Sequence, residues 1–173
     1  MSEQLECAVI KKALHNLPLL QADQYLSINV SPTTILNCGY FSTLLPADKL
    51  SRILLEVSEH ERIDDYSKVA GVLAPYRQSG LRLAVYDAGS GFASFRHILQ
   101  LQPDVIKIDR SLIKDVDSNQ AELALTAAIV KFANTTGCTI IAEGVETECE
   151  RNTLFELGVC CAQGYLLGRP QAL

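Results

Sequence analysis

Seven polar residues stand out because each closes a short apolar, strand-like run. Asn29 ends Leu-Ser-Ile-Asn, Glu56 ends Ile-Leu-Leu-Glu, and Asp87 ends Leu-Ala-Val-Tyr-Asp. Lys107 and Asp109 end Val-Ile-Lys-Ile-Asp, Glu143 ends Ile-Ile-Ala-Glu, and Gln163 lies in Cys-Ala-Gln-Gly-Tyr. Brought to one place, several carboxylates, an Asn and a Lys make a set of hard oxygen ligands, suited to Mg²⁺ or Mn²⁺ rather than zinc. Such ions would hold a phosphodiester, and a pair about 3.5 to 4 Å apart stabilises both attacking and leaving oxygens of a phosphoryl transfer.

Each of these groups also has a plainer reading. A polar residue at a strand end is often a loop-starting hydrogen bonder or a helix cap, which applies equally to Asn29, Asp87, Asp109 and Gln163. Glu56 and Glu143 are harder to dismiss, because a buried carboxylate without a partner is costly. Lys107, set between two isoleucines, reads as a phosphate ligand or water activator. The Gly89-Ser90-Gly91 turn after Asp87 could approach a phosphate, although lone Gly-rich turns are weak signals. His15, His60 and His97 show no partner pattern and read as surface or capping residues.

The elements that would position these groups alternate. Strand candidates are Tyr25 to Val30, Ile53 to Val57, Leu81 to Tyr86, Val105 to Ile108, Thr139 to Ala142 and Val159 to Leu166. Most are apolar throughout, as strands buried on both faces should be. Between them, Leu5, Val9, Ile10, Ala13, Leu14 and Leu17 repeat with helical period, and so do Ile63, Tyr66, Val69, Leu73 and Tyr76. Asp117 and Ser118 are cap candidates for a long apolar helix, and Thr147 with Glu150 has capping-box spacing. Gly80, Gly137 and Gly158 each stop a helix just before a strand, the place for a left-handed cap. This repetition predicts an α/β domain with parallel strands, either a doubly wound sheet or a β/α barrel.

Composition narrows the class. With 173 residues the chain suits one domain, 1–173, with its own core. Although 48% of residues are hydrophobic, no apolar stretch approaches the roughly 20 residues of a membrane span. The first residues lack the pattern of a secretory signal, so a cytoplasmic location is expected. A net charge of −5 leaves no basic stripe for long nucleic acid. Cys7, Cys38, Cys138, Cys149, Cys160 and Cys161 show no zinc-ligand spacing and read as reduced, mostly buried thiols.

In order along the chain, Leu-Ser-Ile-Asn-Val-Ser, Leu-Leu-Glu-Val-Ser-Glu, Tyr-Asp-Ala-Gly-Ser-Gly-Phe-Ala-Ser, Val-Ile-Lys-Ile-Asp-Arg-Ser, Ile-Ala-Glu-Gly-Val-Glu-Thr and Ala-Gln-Gly-Tyr-Leu-Leu-Gly-Arg-Pro resemble the motif series of the bacterial EAL family. The resemblance implies a TIM-like (β/α) barrel and metal-dependent hydrolysis of cyclic di-GMP to pGpG. By position, Asn29, Glu56 and Asp87 match metal ligands, Lys107 matches the lysine that helps activate water, and Glu143 and Gln163 match further residues of the catalytic centre. Gly89, Ser90, Gly91 and Asp109 fall in loop and substrate-binding positions, and Glu146 matches the glutamate that steadies the loop from Gly89 to Ser94.

Two departures shape the expectation. The family's opening segment, with its first strand and Glu-Ala-Leu motif, has no counterpart here, which implies an incomplete barrel lacking the first strand region. Tyr86 stands where the family has the first of two aspartates, and a phenol with a pKa near about 10 is a poor substitute for a carboxylate. The resulting expectation is a protein of cyclic-di-GMP signalling, impaired as a catalyst and acting by nucleotide or protein binding, with at most a weak or partial Mg²⁺ or Mn²⁺ site. The alternative is an active phosphodiesterase. An open barrel exposes an edge and one side of its core, so self-association or a partner chain is expected to cover it.

Overall fold

A computed structural model describes residues 3–37, 43–58, 63–88 and 92–171, with the backbone alone at 58, 87, 88 and 92–94. Six strands, β1 (Leu26–Val30), β2 (Ile53–Ser58), β3 (Arg82–Ala88), β4 (Val105–Ile108), β5 (Thr139–Glu143) and β6 (Cys161–Gln163), form one sheet. Every neighbouring pair is parallel and the order is β1-β2-β3-β4-β5-β6. A doubly wound sheet reverses its order at a switch point, whereas strands added one after another by right-handed crossovers curl toward a barrel. Sequential order therefore decides between the two expected folds: the sheet is a half-barrel, with β1 and β6 at its edges among the described residues.

Helices that accompany the sheet among the described residues include α1 (Glu3–Leu14), α2 (Pro32–Leu36), α3 (Tyr66–Gln78), α4 (Phe92–Leu101), α5 (Arg110–Ile113), α6 (Gln120–Thr136) and α7 (Glu148–Glu156). They cover one face of the sheet. Ile28, Val30, Ile53, Leu55, Val57, Leu83, Val85, Ile106, Ile108, Ile140 and Ala142 point toward them and share a core with Ile10, Val69, Leu73, Ile98, Ile129, Val130 and Leu154. Alternate strand residues face the other way, where Leu54, Ala84, Val105 and Ile141 form a separate apolar cluster. Because the strands carry apolar residues for both faces, they read as continuous hydrophobic runs.

Local chemistry sets the boundaries. Gly80, Gly137 and Gly158 all have positive φ, as their places before strands require. Thr147 and Glu150 close a reciprocal capping box at α7, but α6 is capped by Asn119 rather than by Asp117 or Ser118. On α1 the buried face is Glu6, Cys7 and Ile10, while Leu5 and Val9 are exposed, so the expected apolar face is turned. Glu6 causes the difference: its carboxylate accepts from the Ser31 N–H, from Ser31 Oγ at 2.7 Å and from Thr34 Oγ1 at 2.9 Å. Three donors at the start of α2 outweigh the burial of Leu5. Strand β6 is shorter than the predicted Val159–Leu166 because the chain turns at Gly164.

Two further expectations are corrected. Of the five described cysteines only Cys7 is buried, and Cys149, Cys160 and Cys161 are exposed, the last two lying at or beside the edge strand. Cys38 and His60 lie outside the described residues. His97 is a core residue, not a surface one, held edge-on against the Tyr66 ring with its Nδ1 3.3 Å from the Tyr66 hydroxyl.

Candidate functional site

On the face opposite the described helices, side-chain parity builds two layers. The lower is the apolar cluster of Leu54, Ala84, Val105 and Ile141. Two residues farther along the same strands come Glu56, Tyr86, Lys107 and Glu143, which therefore share that face at the C-terminal ends of the strands. Register places Glu56 beside Asn29 on β1 and beside Ala84 on β3, and it places Glu143 beside Gln163 on β6. An apolar floor thus lies directly beneath a polar layer.

The polar layer is a connected row. Lys107 Nζ lies 2.8 and 2.9 Å from the two oxygens of Glu56 and 2.6 Å from Glu143 Oε1. Gln163 Nε2 donates to the same Glu143 oxygen, and Ser27 Oγ donates to Glu56 Oε1. The row runs Ser27–Glu56–Lys107–Glu143–Gln163, from one edge strand to the other. Glu56 and Lys107 are each only 6% exposed, so their charges depend on the partners within this row. Burial alone would lower the Lys107 pKa, but hydrogen bonds from the ammonium to Glu143 and Glu56 outweigh it and raise the pKa above the ordinary lysine value. The ammonium is therefore present at neutral pH, and two carboxylates share one cation.

The structure brings together Glu56, Lys107, Glu143 and Gln163, with exposed Asn29 on the adjacent strand. Tyr86 is half-buried on the same face. Pairing of β3 with β4 shifts between Val85 and Ala88, which oppose Ile106 and Ile108, so Tyr86 and Asp87 sit where β3 carries one extra residue. Such bulges re-aim side chains next to active sites. The Asp87 side chain and the Gly89-Ser90-Gly91 turn lie outside the described residues.

Asp109 stands apart from the row. Its side chain caps α5, accepting from the Ser111 N–H at 2.8 Å. Burial pushes its pKa up, but the bonds from Ser111 and the charge of Arg110 prevail and hold it below the usual value. Glu146 pairs with Arg110 at 2.9 Å. Its backbone is fixed by buried Glu150, which accepts from the N–H groups of Glu146 at 2.8 Å, Thr147 at 2.9 Å and Asp115 at 3.4 Å. Desolvation works to raise the Glu150 pKa, yet these backbone donors together lower it. At Gly164 an added Cβ would meet the Val145 carbonyl oxygen, so only glycine lets the chain after Gln163 close onto the segment that follows β5, through the bonds of Val145 N–H to Gln163 and Leu166 N–H to Val145.

The donor set can be weighed against a divalent ion. Among the described residues no group of three His, Cys, Asp or Glu side chains is gathered as a metal cluster. The oxygens of Asn29, Glu56 and Glu143 are of the hard type that Mg²⁺ and Mn²⁺ take, so the chemistry of the donors suits such an ion. Glu56 is the point of conflict, because both its oxygens are already engaged by Lys107.

Ser27 and Glu6 are not singled out by the sequence, and the further role of Glu150 in holding Glu146 and Asp115 is not either. Ser27 carried a usable signal, since it precedes Asn29 by two residues and so shares its face. Glu150 was read only as a cap, and nothing in the sequence separates Glu6 from an ordinary first-turn acid.

Comparison with known proteins gives a consistent picture. The model of the EAL domain family matches residues 1–170. The cyclic di-GMP phosphodiesterase PdeF of Escherichia coli is 30% identical over 152 residues, covering 85% of this chain and 20% of PdeF. The chain thus spans about a fifth of that curated relative. Among solved structures, the PaMucR phosphodiesterase in complex with c-di-GMP superposes with a TM-score of 0.83 at 28% identity, covering 97% of this chain and 72% of that one. The manganese and cyclic di-GMP complex of Klebsiella pneumoniae BlrP1 gives a TM-score of 0.77 at 29% identity, covering 97% of this chain and 44% of BlrP1.

Proposed function

Because this chain belongs to the EAL domain family, we propose that it works in cyclic-di-GMP signalling by binding the nucleotide or a partner protein, with hydrolysis impaired. One observation carries the reading: the inner-face row holds its two glutamates on Lys107, with a tyrosine, not an acid, at position 86 on the same face. Relatives crystallised with cyclic di-GMP and manganese support a divalent ion and a phosphodiester ligand here.

In this reading Asn29, Glu56 and Asp87 hold one Mg²⁺ or Mn²⁺. When bound, that ion neutralises and polarises the phosphodiester. Lys107, beside the ligand oxygens, offers an ammonium to a phosphate oxygen, while Glu143 and Gln163 orient it. Impairment follows from the missing acid at position 86, since a second ion lacks a carboxylate ligand there.

The two sheet edges add a second element. Among the described residues β1 and β6 are the sheet edges, and an unpaired strand edge invites pairing with a second copy of the chain or a partner. A protein that stays monomeric at high concentration would remove this part.

The test is calorimetric titration with cyclic di-GMP, with Mg²⁺ or Mn²⁺ and with chelator, followed by chromatography of the same samples for pGpG. Binding without pGpG is the expected result. Formation of pGpG restores the active phosphodiesterase, and absence of both binding and product removes the nucleotide from the reading.

A further inference from the structure

The Glu56 carboxylate is crowded before any divalent ion arrives. Its Oε1 accepts from both Ser27 Oγ and Lys107 Nζ, and its Oε2 accepts from Lys107 at 2.9 Å. A carboxylate oxygen offers about two lone-pair sites, so Oε1 is full. Oε2 keeps one such site, and an ion bound there lies beside the Lys107 ammonium, 2.9 Å from the same oxygen, so two like charges compete for Glu56. The ammonium has somewhere to go, because Glu143 Oε1 already lies 2.6 Å from the same nitrogen and is anchored by Gln163. Release from Glu56 needs only a small swing of the lysine, with no loss of its second carboxylate.

We propose that Lys107 is a built-in competitor for the divalent ion: it bridges Glu56 and Glu143 in the ion-free protein and withdraws to Glu143 alone when the ion binds. This rests on the divalent-ion part of the proposed function and adds a direction to it. The lysine sets an occupancy threshold, because at low ion concentration its ammonium offsets one of the two carboxylate charges and holds Glu56. Glu143 and Gln163 serve as its parking place, which gives Gln163 a role even in the ion-free state.

The experiment is titration of the nucleotide-free chain with Mn²⁺ by calorimetry, comparing the wild type with Lys107→Met and Lys107→Arg. Removing a competing unit charge within hydrogen-bond reach should tighten Mn²⁺ binding in Lys107→Met by at least about tenfold. Arginine grips a carboxylate with two parallel N–H groups, so Lys107→Arg should bind Mn²⁺ at least about threefold more weakly than the wild type. Thermal unfolding gives a second readout: Mn²⁺ should raise the Tm of Lys107→Met more than that of the wild type. Should Lys107→Met fail to fold, the arginine variant decides alone, and unchanged or tighter binding in it overturns the competition. Equal or weaker binding in a folded Lys107→Met also overturns it while leaving the divalent site intact. No Mn²⁺ binding by any of the three proteins overturns the competition and the divalent site together.

Discussion

Replacing Glu150 with alanine removes a carboxylate that holds three backbone donors, and its cost can be worked from the geometry. The bonds from Glu146 and Thr147, at 2.8 and 2.9 Å, are short and made to a buried charge, whereas the bond from Asp115 at 3.4 Å is long. Hydrogen bonds to charged groups are worth about 1.5–3 kcal/mol each, and freed donors near the surface recover part of that from water. The expected loss is about 3 kcal/mol at pH 7, a fall of roughly 6–12 °C in Tm for a chain of this size. Thr147→Ala, which removes only the 3.2 Å cap on the Glu150 N–H, should cost about 1 kcal/mol. Urea unfolding of both variants at several pH values is the assay. Because the folded Glu150 pKa is depressed, its stabilisation is fully present above the unfolded value near 4.5 and is lost as pH falls through the lower folded value. The gap between wild type and Glu150→Ala should therefore narrow below pH 4.5. A loss no greater than that of Thr147→Ala, or a gap independent of pH, refutes the reasoning.

Glu6→Ala should destabilise the chain by about 3 kcal/mol and Glu6→Gln by about half as much, since the amide keeps one acceptor for Ser31 and Thr34; urea midpoints would separate the two. Gly144→Ala places a Cβ 2.6–2.9 Å from the Arg110 side chain at a backbone φ of +73°. It should cost about 1–2 kcal/mol in thermal unfolding through backbone strain and displacement of Arg110 from Glu146. Tyr86→Asp adds a carboxylate to the inner face and should tighten Mn²⁺ binding measured by calorimetry while lowering ion-free stability by about 1–2 kcal/mol through like-charge repulsion. Mn²⁺ affinity left unchanged in that variant would mean that residue 86 does not reach the ion.

Much of the fold was legible because parallel strands announce themselves. The run Val105 to Ile108 matches β4 residue for residue, and the other runs differ by one to three residues at an end, with β2, β3 and β5 running on past the expected C-terminal residue. Strand β6 is the larger error, since the apolar content of Val159 to Leu166 hides the turn at Gly164. The polar layer was legible as a set of strand ends, and chain order could not say which of them touch. Lys107 reaches Glu56 across β3, a contact made possible by Ala84 beside Glu56 and invisible without the register. Asp109 had the same strand-end signature as Glu143, yet its strand had already passed into a helix, where capping the Ser111 N–H won. Glu6 turned α1 away from its apolar periodicity because tertiary donors, which no local pattern encodes, lie 25 or more residues away.

The row of side chains ends on the two edge strands, at Ser27 on β1 and Gln163 on β6. A chain that pairs with either edge reaches Glu56 or Glu143 through a single hydrogen bond. Edge pairing and ion occupancy are then linked equilibria: if covering an edge changes Mn²⁺ affinity by some factor, Mn²⁺ must change the affinity for the covering chain by the same factor. The half-barrel would thereby report the divalent ion as a change in assembly, without a moving domain or any chemical turnover.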